Sequence, residues 1–361
     1  MKLIHCADLH LDSKMQSNLS KEQAKERRAE ILRTFVRMVD YAEQNEVFGI
    51  MIAGDMFDTR AVSATTRNIV KSAIEKHPQI QFFYLKGNHD LDSFVSKLEE
   101  IPENLHLFTD EWTSYRYPGV TITGMEMTPE NHSSMYHSLV LDHDCYNIVL
   151  LHGQIENYQS GNPESISRVD LANKNIDYLA LGHVHTMQTD RIDRRGMYAY
   201  PGCLEGRGFD ECGEKGFILL NIDENSQTAE YSFVAIAERN LYEIEVDVTG
   251  ATGSDQIAQL MEEAISREQY PAKSMVKFIL KGELNVECEI NLDYLTEMFE
   301  EYFYCIRIKD ETTLLISYED YAKDESLKGE FVRTVMCSNM AENEKAEVIR
   351  CGILALSGED F

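Results

Sequence analysis

Five short segments in the first half of the sequence carry residue types suited to metal chemistry: Asp8-Leu9-His10, Gly54-Asp55-Met56-Phe57-Asp58, Gly87-Asn88-His89-Asp90, His152-Gly153 and Gly182-His183-Val184-His185. Each alone is a common accident. Their order, each following an apolar strand-like run, is what a converging set of rigid strand ends would need to build one cluster. Asp8 and Asp55 offer hard carboxylate oxygens, Asn88 a neutral amide oxygen, and His10, His152, His183 and His185 ring nitrogens. That mixture suits manganese, iron or zinc and not calcium. Seven such ligands serve two divalent cations with positions left for water and substrate, and Asp55, with two oxygens, is the natural bridge. Two ions about 3.5–4 Å apart acidify a bridging water and hold a phosphoryl group for in-line attack.

Asn88 and His89 are adjacent, so their side chains diverge. With Asn88 on the metal, His89 faces the oxygen that must leave and can protonate it as general acid. Asp58 or Asp90 orients His89, and the spacing fits either. Asp8 and His10, two apart, read as extended chain with both side chains on one face. The other histidines, His5, His77, His106, His132, His137 and His143, read as structural.

The elements that must position these groups follow from apolar patterning. Strands are expected at Lys2–Cys6, Val47–Ala53, Ile80–Leu85, Leu105–Phe108, Val120–Gly124, Asn147–Leu151 and Tyr178–Leu181, with helices at Lys21–Gln44, Arg67–Lys76 and Phe94–Glu99. Short apolar strands with crossover helices make an α/β domain. Gln188–Ile192, Met197–Tyr200, Gly216–Ile222 and Ala229–Val234 then read as an antiparallel run forming a second sheet against the first. Beyond residue 237 the pattern changes. Strands at Leu241–Val248, Met275–Leu280 and Cys305–Lys309 alternate with helices at Ser254–Arg267 and Leu292–Tyr302, and helices at Ser326–Met336 and Ala341–Leu356 close the sequence. The expected organisation is a catalytic domain over 1–237, an α+β capping domain over 238–323 and a helical tail over 324–361.

Composition narrows the class. No run approaches the roughly 20 apolar residues of a membrane span, and the metal motif begins too early for a signal peptide. Eight cysteines without a C-x-x-C pair read as reduced thiols of a cytoplasmic protein. The net charge of -28 is unusual for a protein that grips nucleic acid, since phosphate neutralisation dominates such affinity. From Asn240 onward there are 26 acidic and 11 basic residues, leaving -13 for the first 239. Lys14, Lys21, Lys25, Arg27, Arg28, Arg33 and Arg37 outnumber the acids around them. They read either as a DNA-contacting stretch or as a solvated helix face with pairs such as Glu22/Lys25 and Glu30/Arg33.

The five motifs together resemble the calcineurin-like metallophosphoesterases, whose pattern is D-x-H, G-D-x-x-D, G-N-H-[D/E], H and G-H-x-H. More narrowly, Ala7–Leu11, Ala53–Thr59, Ala180–His185, Tyr200-Pro201-Gly202 and Gly208-Phe209-Asp210-Glu211 resemble the SbcD-type DNA repair nuclease subunits. The resemblance implies a two-sheet sandwich flanked by helices, with a small α+β capping domain. It implies one metal on Asp8, His10, Asp55 and His185, a second on Asp55, Asn88, His152 and His183, and His89 as a catalytic residue that binds no metal. It further implies manganese-dependent cleavage of DNA phosphodiesters and an SMC-like ATPase partner of the SbcC type, which the apolar faces of the tail helices (Phe331, Val332, Val335, Val348, Ile349, Ile353, Leu354) would dock unless they pack onto the chain's own capping domain. A homodimer is compatible with it, and the acidic charge implies weak DNA binding by the chain alone. The other readings are a small-nucleotide phosphodiesterase, or a scaffold that keeps the fold without catalysis. Protein Ser/Thr phosphatases differ at two places, having Arg after the second Asp of G-D-x-x-D and Glu after G-N-H, where this sequence has Thr59 and Asp90.

Overall fold

Alternation within single strands sets the layers. The computed structural model describes residues 1–361 except 16–18, 59–61, 91–93, 286–287, 316–320, 322 and 358–361. It divides into two compact units, Met1–Asn240 and Leu241–Phe361. In chain order the first unit begins β1 (Lys2–Cys6), α1 (Lys21–Gln44), β2 (Gly49–Ala53), α2 (Ala64–Lys76), β3 (Gln81–Leu85), β4 (Leu105–Leu107), β5 (Thr113–Tyr117) and β6 (Val120–Gly124). It continues with α3 (Met135–Ser138), β7 (Tyr146–His152), β8 (Gln154–Glu156), β9 (Ser165–Ser167), α4 (Arg168–Leu171) and β10 (Tyr178–Gly182). Two hairpins complete it, β11 (Gln188–Arg191) with β12 (Met197–Tyr200), and β13 (Gly216–Asp223) with β14 (Thr228–Ala235).

Two six-stranded sheets result, ordered β14-β13-β1-β2-β3-β4 and β11-β12-β10-β7-β6-β5. Successive side chains of a strand point to opposite faces, so each central strand serves two cores. Ile50 and Ile52 of β2 join the cluster that α1 covers with Ile31, Phe35 and Met38, whereas Met51 joins the layer between the sheets. On β10, Tyr178 and Ala180 face that same inner layer while Leu179 and Leu181 face the opposite core. Burial on both sides explains why these strands read as unbroken apolar runs. The architecture is the two-sheet α/β sandwich expected.

Several details differ from the sequence reading. The late strands do not form one antiparallel run. The β11–β12 hairpin joins the second sheet through a parallel β12–β10 pairing, and β13–β14 returns to the first sheet beside β1. The expected helix at Phe94–Glu99 is only a 3₁₀ turn over Val95–Lys97. Helix α2 starts a turn earlier than expected because the Ser63 hydroxyl caps the Thr66 amide. Strand β5, with its half-polar Thr-Ser-Tyr-Arg-Tyr, went unread; it pairs with β6 across Pro118-Gly119.

Helix α1 keeps the expected bounds, fixed by a Ser20/Gln23 capping box. Three of its arginines are engaged by other parts of the first unit. Arg27 is fully buried, paired with Glu30 and with Glu205 (3.4 Å), and donates to the Gly206 carbonyl at 2.7 Å. Arg33 pairs with Glu238 at 3.0 Å, and Arg37 donates to the Ile236 carbonyl at 2.7 Å. The stretch that reads as DNA-contacting or as a solvated face thus has Arg27 inside the protein, with Arg33 and Arg37 partly exposed but engaged by Glu238 and by the Ile236 carbonyl.

The second unit has a parallel sheet of β15 (Leu241–Asp247), β16 (Met275–Lys281) and β18 (Cys305–Asp310). Helices α5 (Ser254–Arg267) and α6 (Leu292–Phe299) supply Ile257, Met261, Leu295 and Phe299 to its core. A short parallel pair, β17 (Glu283–Asn285) with β19 (Thr313–Leu315), follows. Helices α7 (Leu327–Met336) and α8 (Glu342–Ser357) pack on each other through Val332, Val335, Ile349 and Ile353. Phe331 and Val348 line an open cavity of about 740 Å³ with Met340, Cys351 and Ala355, while the Leu354 side chain lies outside the described residues. No helix among the described residues is long and apolar enough to cross a membrane.

Candidate metal centre

Two loops laced side by side form the floor of the site. The Asp8 and His10 amides donate to the Gly54 and Asp55 carbonyls at 3.1 and 3.0 Å, and Leu11 donates to Met56 at 2.9 Å. The stretch is not extended, as its spacing had implied. Asp8 and His10 have φ of 51° and 45°, and Asp55 has 52°, all in the left-handed region. Such backbone costs about 1–3 kcal/mol per residue and persists where surroundings over-determine it, most often at functional sites. Gly54, at φ 89°, is required twice over, because a Cβ there would overlap the His152 ring as well.

Six of the seven candidate ligands converge closely. His10 Nε2 lies 3.2 Å from His185 Nε2 and 3.9 Å from Asp55 Oδ2. His185 Nε2 is 3.8 Å from Asp8 Oδ1. His152 Nε2 is 2.9 Å from Asn88 Oδ1 and 3.4 Å from Asp55 Oδ2. Two ligands at about 2.1 Å from a common cation stand roughly 3.0–3.4 Å apart, so the facing imidazoles of His10 and His185 have the separation a shared ion imposes. Asp8, His10 and His185 form one compact group, and Asp8, Asp55 and His152 another. The donor set fits a pair of divalent ions. His183 stands further off. Its ring sits edge-on to His152 at 5.5 Å and its Nε2 is 4.0 Å from Glu164, while its backbone amide donates to both Asp8 oxygens at 3.0 Å.

The charges respond to burial and to one another. Burial opposes protonation of His152, but the hydrogen bond and charge of Asp55 outweigh it and push the imidazole up to about 9. Burial likewise works against the Asp55 carboxylate, yet His152 and His10 hold it well below the usual range. Asp8, almost wholly buried, is pushed up to about 6.

Asp58 and Asp90 stand in different places. Asp58 Oδ1 is 3.2 Å from His89 Nδ1 and 3.3 Å from His10 Nδ1. Asp90 instead accepts from the backbone amides of Met56, Phe57 and Gly87 at 2.8–3.1 Å and ties the second motif to the third. His89 is half exposed at the rim. Beside Asn88 and His152 opens a cavity of about 680 Å³, walled by Met127, Pro129 and Pro163 and carrying Lys86, Glu126 and Glu164. Of the histidines read as structural, His5 is buried between the sheets, bonded to the Tyr178 hydroxyl at 2.9 Å and near the Leu181 carbonyl at 3.2 Å. His77, His106 and His132 hydrogen bond within their own neighbourhoods.

Two side chains escaped the sequence reading. Glu211 meets His185 Nδ1 at 2.7 Å, and Arg207 bonds Glu211 at 2.8 Å while lying 3.7 Å from Asp58. Their only signal was that the resemblance ran past the last ligand into Gly208-Phe209-Asp210-Glu211.

The sequence profile described as calcineurin-like phosphoesterase matches residues 1–187. An uncharacterized metallophosphoesterase of Bacillus subtilis, YhaO, is 27% identical over 299 residues, covering 78% of this chain and 72% of that protein. The DNA double-strand break repair protein Mre11 of Methanopyrus kandleri is 26% identical over 277 residues, covering 68% of this chain but only 59% of that protein. Among solved structures, TT1561 of Thermus thermophilus covers 64% of this chain and 98% of its own at 14% identity, with a TM-score of 0.42. The family is dimetal-dependent, and the clustered carboxylates and imidazoles above are groups of the kind it uses. This chain belongs to the calcineurin-like phosphoesterases.

Proposed function

We propose that this chain is a two-metal phosphodiesterase that cleaves DNA, as the nuclease subunit of an SbcCD-like repair complex. The observation that carries the hydrolase reading is the convergence of His10 and His185 ring nitrogens at 3.2 Å beside Asp8 and Asp55. Asp8, His10, Asp55 and His185 would hold one ion, and Asp55, Asn88, His152 and His183 the other, with manganese the expected metal. Such ions acidify a bound water and neutralise the phosphoryl charge. The protein's own part is positional. Asp55 Oδ1 accepts from the His89 amide at 2.9 Å, which fixes the third motif against the second. Asp58, 3.2 Å from His89 Nδ1, orients that ring so that its other nitrogen delivers a proton to the departing oxygen. The likeness to a DNA double-strand break repair protein supports DNA as substrate, and the SbcC-type ATPase of this reading would dock at the open face of α7 and α8.

One observation favours a second reading, a small-nucleotide phosphodiesterase: with Arg27 buried and the partly exposed Arg33 and Arg37 already engaged by Glu238 and the Ile236 carbonyl, a chain of net charge -28 offers little basic surface to a duplex. The test is turnover by the purified chain with manganese on single-stranded DNA, duplex DNA, cyclic nucleotides and an activated aryl phosphodiester. DNA cleavage is expected. Cleavage of cyclic nucleotides alone would establish the second reading, and no turnover on any of them a scaffold. In the same assay His89→Ala should retain its metal and lose about 10²–10⁴-fold on poor leaving groups while sparing the aryl ester. Loss of metal together with activity would make His89 a ligand instead.

A further inference from the structure

We propose that Glu211 is a positioning residue for one half of the metal centre: its carboxylate takes the Nδ1 hydrogen of His185 and thereby presents the His185 Nε2 lone pair toward His10 and Asp8. This rests on the reading of His185 as a ligand.

The tautomer follows from the partners. His185 Nδ1 has two neighbours, Glu211 Oε1 at 2.7 Å and Arg207 Nη2 at 3.3 Å. A guanidinium only donates, so Arg207 cannot receive a hydrogen from the ring. Glu211 can, and a neutral imidazole that gives its Nδ1 hydrogen to the carboxylate has its free lone pair on Nε2. That nitrogen is the one 3.2 Å from His10 and 3.8 Å from Asp8.

The carboxylate itself is locked. Glu211 is 2% exposed and accepts from the Arg207 amide at 2.7 Å and from its guanidinium at 2.8 Å. The same segment holds the backbone of His185, because buried Lys215 donates its ammonium to the His185 carbonyl at 2.9 Å. It is moored in turn to α1, where Arg27 bonds Gly206 and Glu205 takes the Thr34 hydroxyl at 2.7 Å. A carboxylate behind a metal-facing imidazole fixes ring orientation and raises ligand basicity. None of these groups is among the seven candidate ligands.

The test uses the full chain, metal-free and then titrated with Mn²⁺, as wild type, Glu211→Ala, Glu211→Gln and His185→Ala. Nitrogen-15 spectra of labelled histidines should show His185 in wild type protonated at Nδ1, and in Glu211→Ala shifted toward the Nε2-protonated form. Calorimetry should show two ions in wild type and one in His185→Ala. Glu211→Ala should weaken one ion by about 10- to 100-fold and leave the other within about twofold. Glu211→Gln, whose amide oxygen still accepts from Nδ1, should recover most of that loss. An unchanged tautomer, wild-type affinity for both ions in Glu211→Ala, or equal loss of both ions with a lowered melting temperature would overturn the proposal. Two ions retained in His185→Ala would overturn the ligand reading itself, while the tautomer spectra still judge the contact with Glu211.

Discussion

The first unit contains two clusters of buried charge, and they are built on opposite principles. Around Arg27, each buried carboxylate meets a cation: Glu30 pairs with Arg27 and Arg239, and Glu205 with Arg27. Around Asp55, carboxylates and imidazoles aim electron-rich atoms at a common centre, and His10 and His185 bring two ring nitrogens face to face. Burying a charge without a partner is costly. The first cluster balances its charge with its own residues, and the second does so only with added positive charge. A buried polar cluster therefore reads as structural or as metal-binding according to whether its own atoms cancel.

The contrast breaks most visibly at Asp55. Asp55→Asn should abolish turnover and reduce bound metal below two equivalents while the metal-free chain still folds, at some cost in melting temperature from the lost contact with His152. Metal analysis beside thermal denaturation checks both halves, and a variant that still holds two ions removes Asp55 from the bridge. Arg27→Met should do the reverse. It leaves Glu205 and Glu30 short of a buried cation, a cost of about 3–5 kcal/mol, while the folded protein still takes up metal with wild-type stoichiometry. Denaturant titration reads the loss, and a variant as stable as wild type would mean the network is dispensable.

A smaller effect belongs to His5, an imidazole buried among neutral partners. Burial lowers it from 6.5 to about 3 in the folded state. The unfolded chain therefore takes up the proton first as pH falls, so the stability this residue contributes is complete above about 6.5 and lost progressively below. Asp8 and Asp90, pushed up to about 6 by burial, run the other way. The informative quantity is thus the difference between wild type and His5→Gln, which should shift against wild type by about 2 kcal/mol between pH 6.5 and 5. A difference independent of pH would mean that His5 is not held neutral.

The ligand-bearing strands were legible because both of their faces are apolar, and the motifs because ligand chemistry restricts residue type. What escaped reading depends on partners far away in sequence. Arg27 looks like any helix-surface arginine until Glu205 and Gly206, nearly 180 positions on, are folded against it. The left-handed backbone at Asp8 and His10 follows from lacing to the 54–56 loop, which two-residue spacing cannot encode. The sheet membership of β13 is set by pairing with β1 and not by its own pattern. Asp58 and Asp90 were equivalent as residue types, and only the folding back of Asp90 onto three amides separated them.

The place of β1 has a consequence for how the protein is made. It is an interior strand, with β2 on one side and β13 on the other. Strand β13 begins about 210 positions after β1 ends. At about 5–20 residues per second of translation, β1 waits on the order of 10–40 s for its second neighbour. Until then one edge of Leu3, Ile4 and His5 is open, and an unpaired edge is a template for the wrong strand. Asp8 and His10 leave the ribosome first, His183 and His185 much later, and Glu211 later still. The centre is thus among the last features the first unit completes, and a chain halted near residue 187 would carry all five motifs without the strand that closes the sheet beneath them.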